Sequence, residues 1–222
     1  MRYLTKKGMF CIVLLLNLTI TNAQNSKKEK SSSGNSTKCF DENTHIINVG
    51  IGLGYNNYYN SYRGRGYSYR TSPAFNISYE QAIPKKIGIG FLGLGAYVGF
   101  QRASSTYNYY YDKNGYNNYY YYKNSWSNLI IAARGAYHFD VLNSKNAELY
   151  FGAIVGARIQ TYNYETSNPD PKADNYRISY GSVYPTFSLF AGGRWYFVKN
   201  VALFGEVGYG ISYLTGGFSF KF

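Results

Sequence analysis

The stretch FGAIVGARIQ, residues 151–160, decides the fold. Its odd-numbered residues are all apolar, whereas its even-numbered residues include Gly152, Gly156, Arg158 and Gln160. An alternation with a period of two predicts a β-strand that has one apolar face and one face of small or polar residues. The question it leaves is which of the two faces contacts water.

Seven further stretches show the same alternation, and together with the first they predict eight antiparallel strands. They are INVGIGLGY (47–55), FNISYE (75–80), LGLGAYVGFQ (92–101), LIIAARGAYHF (129–139), FSLFAGGRWYF (187–197), VALFGEVGYGISY (201–213) and GGFSFKF (216–222). A change of parity at Phe91 and Leu92 predicts a β-bulge or the start of a strand there. Eight strands is the smallest common size of a membrane β-barrel.

The connections between these strands alternate in length. Short ones follow strands two, four and six: PKK (84–86), DVLNSKNA (140–147) and VKN (198–200). Long ones follow strands one, three and five: about residues 56–72, 102–126 and 161–184. Membrane β-barrels of bacteria have short periplasmic turns and long extracellular loops. The lengths therefore predict three extracellular loops, all rich in Tyr and Asn.

The second face of the strands favours a membrane barrel over a soluble one. It consists mostly of Gly, Ala and Ser, and glycine is a poor strand residue on a surface exposed to water. The interior of an eight-stranded barrel is only just wide enough for side chains. We therefore expect small residues inside, large apolar residues facing lipid, and an all-β fold: an eight-stranded antiparallel up-and-down transmembrane β-barrel.

The residues before the first strand have a different character. A basic MRYLTKK, an apolar MFCIVLLLNLTI and small residues up to Ala23 are typical of a secretory signal peptide. We expect residues 1–23 to be a signal peptide, residues 24–43 a polar periplasmic linker, and residues 44–222 the barrel. Cys39 is then the remaining cysteine, so the exported protein would have no internal disulfide.

The net charge of +12 does not indicate a nucleic-acid partner. Removal of the signal peptide, with three basic residues, lowers it to +9, and four of the remaining lysines lie in NSKKEKSSSGNSTK (25–38). The basic residues form no stripe or known binding motif. We instead expect outer-membrane lipid and lipopolysaccharide as surroundings, with Arg63, Arg65 and Arg70 as candidates for contacts with lipid phosphates.

No catalytic, cofactor or metal site is predicted. GIGFLG (88–93) fits the dinucleotide-binding pattern letter by letter, but it continues as a strand, and no helical period follows. His45 and His138 both lie at the expected periplasmic end, where no nucleophile, base and orienting acid can be assembled. We therefore expect a protein that is not an enzyme and binds no cofactor.

Charged residues on the inward face are the most informative polar residues: Glu80, Arg134, Arg158, Arg194 and Glu206. Buried charges persist when they are paired and hydrogen-bonded. We expect a structural network that closes the lumen, in which Arg194 lies almost opposite Glu206 and Glu80 lies at the height of Arg134. A gate or selectivity ring is the alternative interpretation.

Several stretches resemble small outer-membrane β-barrel proteins of Gram-negative bacteria: RGAYHF (134–139), AGGRWYF (191–197), the terminal FSFKF (218–222), the glycine-alternating first strand and the cleaved signal. The nearest types are the OmpA and OmpX barrels and the porin-like barrels frequent in Bacteroidetes. The resemblance covers roughly residues 45–222. It implies a location in the cell outer membrane and an assembly signal, read by the barrel-assembly machinery, at Phe218, Phe220 and Phe222.

The sequence therefore predicts a monomeric structural or surface-interaction protein. Tyrosine offers a large contact area with a polar group and suits adaptable binding loops, and its ring also suits stacking on sugars. The loops fit a hydrated layer among lipopolysaccharide chains at least as well as a binding site for an extracellular glycan or protein ligand. A narrow passive pore for small solutes is the alternative function.

Overall fold

The computed structural model describes residues 39–53, 66–113, 116–139, 144, 146–168 and 179–222. The strands in chain order are β1 (His45–Leu53), β2 (Tyr67–Thr71), β3 (Ala74–Ile87), β4 (Gly90–Lys113), β5 (Tyr116–Phe139), β6 (Ala147–Thr166), β7 (Ser179–Val198), β8 (Val201–Gly208) and β9 (Leu214–Lys221). No helix in the described residues has the length and hydropathy needed to cross a membrane. The expected signal peptide and most of the expected linker lie outside the described residues.

The described strands close into a ring in the order β1, β3, β4, β5, β6, β7, β8, β9 and back to β1, and every pairing is antiparallel. The remaining strand, β2, continues β3 along β4 after a break at Ser72 and Pro73. At the seam, His45 and Phe222 exchange two backbone hydrogen bonds of 3.2 and 3.0 Å. The predicted all-β, eight-stranded up-and-down barrel is confirmed.

The change of parity at Phe91 and Leu92 coincides with both expected features. β4 begins at Gly90, and the register between β3 and β4 shifts between the pairs Ala82–Gly93 and Lys86–Phe91. A turn joins the two strands at Gly88, whose φ of +60° is a left-handed conformation that favours glycine. GIGFLG therefore begins in this turn and continues as a strand.

The second predicted loop, 102–126, is almost entirely strand, and half of the third, 161–184, is strand as well, which corrects the sequence prediction. β4 and β5 pair without a break from Gly90–Phe139 to Lys113–Tyr116, and β6 continues to Thr166. Tyr and Thr favour strands, so the Tyr/Asn composition that indicated loops here extends a sheet. The seventh predicted strand, in contrast, ends early, at Gly208.

Strands β2 and β4–β7 continue beyond the apolar part of the barrel. In these continuations the outward residues change from aliphatic to polar or tyrosine, for example from Phe100 to Arg102 in β4 and from Ile159 to Thr161 in β6. We call them the sheet extension, and they comprise residues 67–71, 102–113, 116–128, 160–166 and 179–182.

The apolar part of the barrel has the inverse of a water-soluble distribution of residues. Its outward faces carry large exposed apolar side chains, among them Val49, Ile77, Val155, Leu189 and Leu203. Its inward faces carry buried polar side chains, among them Asn48, Ser78, Arg134, Ser188 and Ser219. A continuous apolar exterior of this kind is stable in contact with lipid and not with water. In FGAIVGARIQ, the apolar odd-numbered face is therefore the lipid-facing one.

Replacement of Val155 with Arg should hinder folding into bilayers by about 2–4 kcal/mol, the cost of a cation near the membrane midplane. Val155 is 57% exposed in the middle of the outward apolar face of β6. The matched control is Thr161→Arg, on the same face of the same strand but in the sheet extension, where the cation stays in water. Urea titrations of folding into lipid vesicles measure both. Equal losses would contradict the assigned faces.

Candidate functional site

Three carboxylates, two guanidinium groups and one imidazole meet inside the barrel, and we call them the lumen network. Its members are Glu80 from β3, Arg134 and His138 from β5, Glu148 from β6, Arg194 from β7 and Glu206 from β8. The alternation of each strand turns these even-numbered side chains inward. All except Glu206, which is slightly exposed, are almost completely buried.

Glu80 is the centre of the lumen network. Its Oε1 accepts hydrogen bonds from Arg134 Nε at 2.6 Å and from Arg194 Nη2 at 3.1 Å. Its Oε2 lies 3.0 Å from Nε2 of His138. A buried carboxylate is tolerated when such partners offset its desolvation, so this one side chain links β3 to β5 and β7 across the lumen.

Each guanidinium group binds a second carboxylate. Arg134 donates to Glu206 through Nη2 and Nη1, at 2.5 and 3.3 Å, and the Tyr150 hydroxyl donates to Glu206 at 2.9 Å. Arg194 donates through Nη1 to Glu148 at 2.5 Å. Charge-assisted and bidentate hydrogen bonds of this kind are the strong ones.

The expected pair of Arg194 and Glu206 does not form, which corrects the sequence prediction. Symmetry about residue 200 would place them opposite each other, but the turn is centred between Lys199 and Asn200, where Val198 pairs with Val201, and the register shifts by one more residue between Tyr196 and Val198. Arg194 therefore lies opposite Phe204, and Glu206 lies opposite Gly192. The arginine reaches Glu80 and Glu148 instead.

His138 lies between two carboxylates. Besides the contact of Nε2 with Glu80, its Nδ1 lies 3.6 Å from Oε2 of Glu148, and neither of these two atoms has a hydrogen-bond partner within the described part of the chain. Three carboxylates and two guanidinium groups sum to a charge of −1. An imidazolium at His138 would bring that sum to zero and would present one N–H donor to Glu80 and one to Glu148.

The structure brings together four of the five inward charges selected from the sequence. Arg158 stays apart, and its Nη2 donates to the carbonyl oxygen of Gly210 at 3.2 Å. Sequence reasoning missed Glu148, which shares the even parity of Gly152 and could have been found from it. It also placed His138 inward without assigning it to the network.

Large rings fill the lumen around the network. The guanidinium of Arg134 lies 3.9 Å from the ring centroid of Phe190, and that of Arg194 lies 4.3 Å from the ring centroid of Tyr150. A Cβ at Gly192 would lie 2.8 Å from Cγ of Glu206, so glycine permits this close packing. A partly open pocket of about 30 Å³, lined in part by Glu206, is large enough to hold water.

Two residues of the expected linker, Cys39 and Phe40, are buried at the end of the lumen where His138 lies. Phe40 is buried and stacks on His138 with a centroid distance of 3.6 Å. Cys39 is buried beside Tyr196, and its Sγ donates to the carbonyl oxygen of Ser144 at 3.1 Å. Burial raises the pKa of the Cys39 thiol to about 11. This thiol is therefore expected to be unreactive at neutral pH.

The other residues selected from the sequence are dispersed. Arg70 is exposed on β2, whereas Arg63 and Arg65 lie outside the described residues. Nδ1 of His45 lies 2.8 Å from the hydroxyl oxygen of Tyr79. Three phenylalanines of the terminal stretch are exposed on the outward side of the barrel: Phe218, Phe220 and Phe222. Within the described ranges, no three His, Cys, Asp or Glu side chains are grouped to hold a metal ion.

No protein-family model and no curated protein sequence matches the chain. Among solved structures, it is similar to the N-terminal β-barrel domain of OprF from Pseudomonas aeruginosa, at 13% identity and a TM-score of 0.40, over 82% of this chain and 100% of that one. It is similar to Ail, the attachment invasion locus protein of Yersinia pestis, solved with the heparin analogue sucrose octasulfate, at 11% identity and a TM-score of 0.39, over 82% and 99%. It is similar to the outer-membrane protein OprG from Pseudomonas aeruginosa, at 11% identity and a TM-score of 0.42, over 82% and 97%. The function is therefore inferred from this chain's own residues.

Replacement of Glu80 with Gln should lower the free energy of unfolding by about 3–5 kcal/mol, the usual cost of breaking a buried ion pair by removing one partner. The matched control is Glu165→Gln, which removes an ion pair with Lys123. The two charged groups of this pair are 3.3 Å apart, and the side chains of Glu165 and Lys123 are 43% and 35% exposed. That change should cost less than about 1 kcal/mol. Urea unfolding in detergent micelles measures both. Similar losses for the two variants would contradict the central role of Glu80.

Proposed function

We propose that this chain is a non-enzymatic β-barrel of the cell outer membrane that acts as a structural or surface-interaction protein. The observation that carries the proposal is the combination of an apolar exterior with a filled lumen. The exterior matches lipid, whereas the lumen network and its surrounding rings are buried inside the described part of the barrel. The exposed remainder, the sheet extension, is then the part available for interactions.

The architecture supports the outer membrane as the location. An even number of antiparallel strands, an apolar exterior and a polar interior are the features of bacterial outer-membrane barrels. Two-residue turns at Gly88–Ile89 and Lys199–Asn200 lie at one end, and the sheet extension lies at the other. Since periplasmic turns are the short ones, the sheet extension is on the extracellular side.

A filled lumen argues against the alternative of a passive pore. Sixteen to eighteen strands leave an aqueous channel, whereas eight leave an interior that side chains fill. Here Tyr97, Tyr150 and Phe190 are buried inside the barrel, and Phe40 is buried against His138. A solute would have to displace these rings and separate the ion pairs of Glu80.

The burial of the lumen network also supports a non-enzymatic role. A catalytic acid or base must come within hydrogen-bond reach of its substrate. Glu80, His138 and Glu148 are almost completely buried, and the two glutamates bind guanidinium groups. Their geometry serves to link strands of the barrel, as a structural network does.

The partners belong to the same proposal. Lipid and lipopolysaccharide would surround the apolar exterior, and the barrel-assembly machinery would read the terminal phenylalanines. An exposed tyrosine of the sheet extension, such as Tyr180, suits an extracellular glycan or protein, because a tyrosine ring gives contact area at a low cost in conformational entropy. The stretches RGAYHF and AGGRWYF support a relationship to the porin-like barrels of Bacteroidetes.

The protein should show no steady conductance in planar lipid bilayers. Glu206→Ala should raise conductance, because it removes the carboxylate that holds Arg134 and Tyr150. The matched control is Glu165→Ala in the sheet extension, which should leave the conductance unchanged. Large, stable and reproducible channels from the unmodified protein would contradict a closed barrel and favour the pore.

A further inference from the structure

A row of aromatic rings crosses three strands of the sheet extension. Trp126 in β5, Tyr162 in β6 and Tyr180 in β7 are direct cross-strand partners, and we call them the aromatic row. The ring centroids are 5.7 Å apart for Trp126 and Tyr162 and 5.1 Å apart for Tyr162 and Tyr180. All three have the parity of the inward face, so the row continues the lumen-facing side of the barrel wall into the sheet extension.

The aromatic row is accessible. Tyr180 is 54% exposed, and the other two rings are partly exposed. Between the row and the two-residue turns, the inward faces of β5, β6 and β7 face the opposite side of the closed barrel. At the row, no described strand lies opposite, since β1 ends at Leu53 and β8 ends at Gly208. Tyr180 therefore lies on a surface, with the other two rings partly exposed beside it.

Carboxamide and hydroxyl groups border the row on both sides. On the lumen side, Gln160 Nε2 donates to Asn128 Oδ1 at 3.2 Å, and Ser182 is the next cross-strand partner. On the outer side, Asn124 Oδ1 accepts from the Tyr162 hydroxyl at 2.5 Å. Residues of both bordering rows are uncharged in the described part of the face. The surface thus combines ring faces with groups that donate and accept hydrogen bonds.

We propose that the aromatic row and its bordering carboxamides bind an uncharged oligosaccharide, an inference that rests on the proposed function because it needs the sheet extension at the cell surface. A sugar ring places C–H groups on the electron-rich face of an aromatic ring. Its hydroxyls both donate and accept, as the carboxamides beside Trp126 and Tyr162 do. An anionic polymer would require a cluster of cations, and an extended peptide would pair with a strand edge and not with a sheet face.

Titration calorimetry of the full refolded chain in detergent micelles tests this inference with hexasaccharides of glucose, mannose and N-acetylglucosamine. At least one should bind, equally at low and high salt. Trp126→Ala and Tyr180→Ala should each weaken binding about tenfold, which corresponds to about 1.4 kcal/mol, while Trp126→Phe should retain most of it. The matched controls are Tyr110→Ala and Tyr119→Ala, a ring pair 5.2 Å apart on the outward face, and they should leave binding unchanged.

Three results would overturn the inference: no binding of any neutral hexasaccharide, equal losses in the control variants, or binding that disappears at high salt. Heat-dependent migration in SDS gels verifies that each variant folds. Labelling of Tyr110→Cys on intact cells with a membrane-impermeant maleimide separates the two proposals, since the native Cys39 is buried. If the cells are labelled but the refolded chain binds no hexasaccharide, the proposed ligand is wrong and the surface location stands. Unlabelled cells would overturn the surface location and the ligand with it.

Discussion

The closure of eight strands into one ring is the constraint on which the rest of the structure depends. Because side chains alternate, closure assigns each residue of a ring strand to the lumen or to the exterior, and a slip of one residue would exchange the two sets. In β6 this places Val155 outward and Glu148 inward. The same alternation continues into the sheet extension, where the inward parity carries the aromatic row.

A narrow ring also determines the chemistry of its interior. Side chains from opposite walls must touch, so charges are retained only where they pair, and Glu80 joins two guanidinium groups and His138 at one point. Glycines such as Gly192 provide space for the large groups beside them. The interactions that link the strands are therefore the same interactions that close the lumen, which is why stability and lack of conductance are expected to change together.

The sequence was sufficient for the strands of the ring and for the inward direction of most charges, because both follow from a period of two. It was insufficient where composition and alternation disagree: the Tyr/Asn segments resemble loops, yet β4 and β5 pair through them. The residue opposite Arg194 on β8 depends on the centre of the turn after β7 and on a register shift near Phe197, and no local sequence pattern indicates either. Phe40 precedes the first strand, so alternation could not predict that it packs against His138.

Fluorescence quenching by lipids with brominated acyl chains tests the assigned faces most directly. The chain has two tryptophans: Trp195 is 56% exposed on the outward face of the barrel, and Trp126 lies on the inward face of the sheet extension. In bilayers, a Trp126→Phe variant, which retains Trp195, should be strongly quenched. A Trp195→Phe variant, which retains Trp126, should be quenched little. Equal quenching of the two, or quenching of Trp126 alone, would contradict the assignment of the outward face of the barrel to lipid and of the sheet extension to water.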